Sequence, residues 1–114
     1  MERELEDSMG NRFLSNAFAL SMLQVDLAEL TVRALSLDEA RAETAGRQSA
    51  VGHADVAAVY SEQLGTTITA NRSNIVLNKG DSLLVGQYVG PRLSEGATHL
   101  PDGATIRWQL VTVN

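Results

Sequence analysis

The strongest constraint on the fold lies in the last third of the chain. Two runs of strand character, Ser82–Val89 and Ala104–Val113, flank a stretch from Gly90 to Gly103 that holds both prolines and three of the nine glycines. The first run is strongly apolar and the second alternates polar and apolar residues at period two, so both read as β-strands joined by an irregular crossing loop. Two such strands demand a sheet. The rest of the chain must supply its other strands and the layer that covers it.

Upstream, Arg12-Phe13-Leu14-Ser15-Asn16 alternates and reads as a first strand, and Ala17–Leu23 is small and apolar enough to pack closely against the core. Residues Leu27–Leu35 alternate again. Ser36 with Glu39 three residues on has the spacing of a capping box, which predicts a helix from Leu37 to about Ala45 with Gly46 beyond its end. Arg47–His53 reads as a loop. Val56, Ala57, Tyr60 and Leu64 then fall at helical spacing, and Gly65 ends a second helix begun at Ala54. Thr66–Thr69 and Asn74–Asn78 are strand-like, and Lys79-Gly80-Asp81 is a turn. This order predicts an α/β fold, with α+β as the alternative: one small domain, a mixed and mostly β sheet flanked by helices. Residues 1–11 form an acidic extension expected to be flexible, and the domain proper spans 12–114.

Composition narrows the chemistry. At 114 residues the chain suits one core, and 44% hydrophobic with 20% charged residues argues against disorder. Cysteine is absent, which excludes disulfides, zinc–thiolate centres, iron–sulfur clusters and cysteine nucleophiles, and fits a reducing compartment. The formal charge of −5 opposes a duplex nucleic-acid or anionic-membrane binder. No apolar run is long enough for a membrane span, and the acidic N-terminus is unlike a signal peptide, so the expected location is cytoplasmic. Eight of the nine basic residues are arginine, a bias that suits bidentate contacts to phosphate or carboxylate. His53 and His99 lack the neighbours of a metal site, and no dinucleotide fingerprint, P-loop or nucleophile elbow occurs. Neither metal nor cofactor is expected.

Four stretches carry a more specific signal: Asn16-Ala17-Phe18-Ala19-Leu20-Ser21-Met22-Leu23; Ser49-Ala50-Val51-Gly52-His53-Ala54-Asp55; Asn71-Arg72 through Ile75-Val76-Leu77, Gly80-Asp81-Ser82-Leu83 and Gln87; and Arg92-Leu93-Ser94-Glu95-Gly96. In this order and spacing, over roughly residues 12–113, the chain resembles the viral ring nucleases, an anti-CRISPR family first seen in archaeal viruses. The resemblance implies a homodimer that binds cyclic tetra-adenylate across its interface. It also implies metal-independent cleavage of that second messenger by the ribose 2′-hydroxyl, which silences type III CRISPR signalling. It places the general-acid histidine at His53, the assisting glutamate at Glu95, phosphate-facing arginines at Arg72 and Arg92, and polar ligand contacts at Asn16 and Gln87. A serine common in the first stretch is Ala19 here, with Ser21 two residues on as its substitute.

Each of these residues also has a plainer reading. A histidine before a helix is often only a cap, a loop glutamate only solvated, an arginine at a strand start only a surface ion pair. Against that, expelling a ribose 5′-oxygen needs a proton donor that exchanges near neutral pH, for which histidine is suited. A guanidinium matches phosphate oxygens in a fork and stabilises charge on a phosphorane. Gln87 sits on an apolar strand, either bonded to backbone or facing ligand. Two other readings stand beside the enzyme: a sponge that binds a cyclic oligonucleotide without cutting it, and a structural or regulatory viral protein.

Overall fold

The computed structural model describes residues 10–114; the expectation for residues 1–9 lies outside the described residues. Asn11, the last residue of the expected extension, is tied to the sheet: its N–H donates to Asp81 Oδ1 at 2.7 Å and its carbonyl accepts from Ser82 N–H at 3.0 Å. The elements are β1 (Arg12–Ser15), a 3-10 turn (Leu20–Met22), β2 (Leu30–Leu35), α1 (Leu37–Thr44), β3 (Gln48–Ser49), α2 (Ala54–Leu64), β4 (Ser82–Val89) and β5 (Thr105–Val113). One five-stranded sheet results, in the order β2-β5-β4-β1-β3. β1 runs parallel to both β3 and β4, while β5 is antiparallel to β2 and β4. The fold is a single α+β domain with a mixed sheet and two helices.

The two strands that dominate the sequence form the longest ladder, from Ser82 opposite Thr112 to Val89 opposite Thr105. Period two then divides the sheet into two faces. On one face Leu14, Leu84, Trp108 and Leu35 pack with Ala40 of α1 and Ala57, Tyr60 and Leu64 of α2. Tyr60 stands edge-on to Trp108, with ring centroids 5.0 Å apart, and its hydroxyl donates to the Gly86 carbonyl. Burial pushes the Tyr60 phenol pKa upward, so the hydroxyl stays a donor. Gly86 leaves room for both rings, since a Cβ would stand 2.5 Å from Trp108 and 2.8 Å from Tyr60.

On the other face, among the described residues, neither α1 nor α2 packs. Leu83, Val85, Val111 and Val113 are covered instead by Phe18, Met22 and Leu23, on the 3-10 turn and its flanks, and by Ile75 and Leu77, on the segment leading to β4. These segments hold each other: Leu77 N–H donates to Met22 O at 2.7 Å and Gln24 N–H to Leu77 O at 3.0 Å.

The helices begin and end where the sequence places them. The capping box is complete, with Glu39 N–H on Ser36 Oγ (3.1 Å) and Ser36 N–H on Glu39 Oε1 (2.8 Å). At the other end of α1, Arg12 donates to Ala45 O at 2.7 Å. Arg47, its side chain 1% exposed, donates to Phe13 O (3.2 Å) and Ser82 Oγ (3.0 Å) and pairs with Glu43 at 3.0 Å. Gly65 ends α2 in the left-handed region (φ 73°), its N–H on Ser61 O.

Three expectations need correction. Within Ala17–Leu23 only Phe18, Met22 and Leu23 join the core; Ala17, Ala19 and Ser21 are exposed and Leu20 is 73% exposed. Thr66–Thr69 forms no strand, because side chains take its backbone groups: Ile68 N–H donates to Ser61 Oγ (2.8 Å) and the Ser49 hydroxyl donates to Thr69 O (2.6 Å). Ile75 and Leu77 are buried with Val76 exposed, as alternation requires, yet pairing there shrinks to one bridge, Leu23 to Leu77. Conversely β3 forms inside an expected loop. Among the described residues no helix is long and apolar enough to cross a membrane.

Candidate functional site

Because β1, β3 and β4 are mutually parallel, their carboxyl ends emerge at one edge of the sheet. Such an edge is where open sheets containing parallel strands place ligands. Asn16 directly follows β1, His53 comes four residues after β3, and Arg92 comes three after β4. Topology alone therefore gathers residues far apart in the sequence.

His53 occupies the N-cap position of α2 in an extended conformation (φ −126°, ψ 136°), and its imidazole makes no capping hydrogen bond. The ring is exposed and lines a groove of about 520 Å³ with Asp55, Val56, Tyr88, Gly90, Arg92 and Leu93. The plain reading of His53 as a side-chain cap thus does not hold. Arg72 lies beside Gly52, the residue before His53. Asn71 N–H donates to Val51 O (2.7 Å) and Asn71 Nδ2 to Ser49 O (2.8 Å), fixing the backbone ahead of Arg72. Arg72 then crosses Gly52, where a Cβ would stand 4.0 Å from its Cγ and Nε.

The crossing loop forms the outer wall and is fastened along α2. Gly96 N–H donates to Asp55 Oδ1 at 3.0 Å, and His99 Nδ1 meets the Glu62 carboxylate. At the root of the loop the Tyr88 hydroxyl donates to Pro91 O. Gly90 there has no room for a side chain, since a Cβ would lie 2.6 Å from that of Ala104. Glu95 is exposed and stands outside the groove's lining, one residue from the anchored Gly96.

The remaining predicted contacts lie apart within one chain. Asn16 and Gln87 share a hollow of about 270 Å³ with Phe18, Val32, Val85 and Gln109, on the sheet face away from the helices. Gln87 is exposed, so its amide bears no desolvation cost. Ser21 lines a third hollow of about 350 Å³ beside Ser73 and Asn74. A further hollow of about 520 Å³ runs past Gln48, Thr66, Thr67 and Thr69, but the cation on its wall, Arg47, is buried and already engaged. Among the described residues no cluster of three His, Asp or Glu side chains could hold a metal. Asp55 and Tyr88 also line the groove without having been expected there. Asp55 closes the second quoted stretch and sits in a first helical turn, and Tyr88 had only the signal of a strand end.

Comparison with known proteins decides the family. The STIV B116-like family matches residues 12–103. The chain belongs to the STIV B116-like family. Among solved structures, B116 of Sulfolobus turreted icosahedral virus is similar, with a TM-score of 0.75 and 27% sequence identity over 90% of this chain and 99% of that one. Comparison with curated protein sequences finds no match. The STIV B116-like span takes in every predicted site residue and stops short of β5, which pairs with β2 and β4 in the same sheet.

Proposed function

We propose that this STIV B116-like protein is a ring nuclease that cleaves cyclic tetra-adenylate to linear adenylates with 2′,3′-cyclic phosphate ends, and so switches off type III CRISPR signalling. The observation that carries the reading is the convergence of His53 and Arg92 in one groove at the carboxyl edge of the parallel strands, with Arg72 alongside. The ligand brings its own nucleophile. A ribose 2′-hydroxyl attacks the adjacent phosphorus in line, its proton leaving to solvent. The bond to the 5′-oxygen breaks, and the His53 imidazolium hands that oxygen a proton. Arg72 and Arg92 hold phosphate oxygens and stabilise the phosphorane, and Glu95 assists His53. No step requires a metal or a cofactor.

The reading takes two copies of the chain. Two arginines per subunit, doubled by a two-fold axis, supply four guanidinium groups for four phosphates, which suits an acidic protein with a local cationic pocket. Helix α2 buries its apolar side chains in its own core and leaves little for a partner. The exposed Ala17, Ala19 and Leu20, together with Val32 and Val89 at 55% and 49% exposure, offer the contact surface instead, beside the hollow that holds Asn16 and Gln87.

His53→Ala tests the chemistry under single-turnover conditions. Cleavage of cyclic tetra-adenylate should fall by roughly 10²–10⁴-fold, the usual worth of a positioned acid, with ligand affinity little changed. Cleavage at the parental rate would remove His53 from the role.

A further inference from the structure

The turn Ser94–Ala97 closes through Ala97 N–H on Ser94 O at 3.0 Å, with Gly96 at φ +80° in its third position. That closure leaves the Gly96 N–H outside the turn's own bonding, free to donate elsewhere. It donates to Asp55 Oδ1 at 3.0 Å. The bonded N–H belongs to the peptide that joins Glu95 to Gly96. Its acceptor lies two residues past His53, in the first turn of α2. One hydrogen bond therefore connects the backbone of the assisting glutamate to the helix start that carries the proton donor. Among the described residues, the loop's other ties lie near its ends: Tyr88 on Pro91, Glu62 on His99, and Ala104 N–H on Pro101 O at 3.1 Å.

We propose that Asp55 is a positioning residue: by accepting the Gly96 amide it fixes where Glu95 stands relative to His53. Asp55 neither donates the proton nor holds phosphate in this scheme; it acts through Glu95. The inference deepens the ring-cleavage reading and rests on it for its kinetic consequence. The hydrogen bond itself is open to test without any ligand.

The substitutions Asp55→Ala, Asp55→Asn, Glu95→Ala and the double Asp55→Ala/Glu95→Ala separate the possibilities. Asparagine keeps a carbonyl oxygen for the Gly96 N–H but drops the charge. In the free protein, amide exchange at Gly96 should quicken roughly 3- to 10-fold in Asp55→Ala, as one hydrogen bond is worth, and stay near parental in Asp55→Asn. Single-turnover cleavage of cyclic tetra-adenylate should fall about 10-fold in Asp55→Ala, with rescue in Asp55→Asn. The double variant should be no slower than Glu95→Ala alone, because the tie then has nothing to position. Unchanged exchange at Gly96 in Asp55→Ala would overturn the proposal. So would additive losses in the double variant, or equal losses in Asp55→Ala and Asp55→Asn, which would assign the effect to charge. If the parental protein leaves the ring intact while exchange at Gly96 responds as described, the ring-cleavage reading fails and the Asp55 tie survives it.

Discussion

Gly86 stands where β4 passes beneath both Tyr60 and Trp108, and the packing of that face depends on its missing side chain. A methyl group at Gly86 would sit within 3 Å of both rings, so one of them would have to leave its position. Gly86→Ala should destabilise the fold by about 1–3 kcal/mol, the range for overpacking a filled core, measured by chemical denaturation. An unchanged midpoint would mean that the two rings yield freely. Nothing in the sequence marks this glycine, since its neighbours are ordinary strand residues and the tyrosine and tryptophan that crowd it lie far along the chain. His53 was more legible. Glycine before it and a helical pattern after it place it at a helix start, and the resemblance singled it out. The part Asp55 plays was not, because its hydrogen bond is to Gly96, 41 residues away.

Helix α1 and the segment after α2 show why some elements could be read and others not. The capping box is a local device, wholly contained in Ser36 to Glu39, and it was visible as a spacing. It also sets a pH dependence. The Ser36 backbone N–H, then the Ser36 hydroxyl, hold the Glu39 carboxyl below its ordinary pKa, with Arg33 adding to the effect. A depressed folded-state pKa means a contribution that is present above the unfolded value and lost as pH falls through the folded one. Amide protection in the first turn of α1 should therefore weaken on acidification below the ordinary carboxylate range. In Glu39→Gln, where an amide oxygen can still accept from Ser36, that dependence should vanish. Nuclear magnetic resonance across an acid titration reads both, and identical profiles in the two proteins would contradict the assignment. Thr66–Thr69 is the opposite case. Its β-branched composition favours a strand, but hydroxyls of Ser49 and Ser61, residues from two other elements, take its backbone groups. The two residues of β3 are too few to show a period, and they pair only because β1 lies alongside.

Among the described residues, five strands and two α-helices make one domain, and three parallel carboxyl ends at one edge gather the groove of His53 and Arg92. Within one chain Asn16 and Gln87 share one hollow and Ser21 lines another, both apart from that groove, and the proposed function brings them to it through a second copy of the chain. The proposed ligand is a ring of four phosphates shared by two copies of the chain, with cleavage that needs no metal. The most direct measurement incubates the purified protein with a panel of cyclic oligonucleotides in the presence of chelator and separates the products by chromatography. Cyclic tetra-adenylate should disappear into linear adenylates ending in a 2′,3′-cyclic phosphate, with chelator having no effect. Recovery of the intact ring from denatured protein would make the chain a sponge, and rings neither bound nor cut would contradict the account outright.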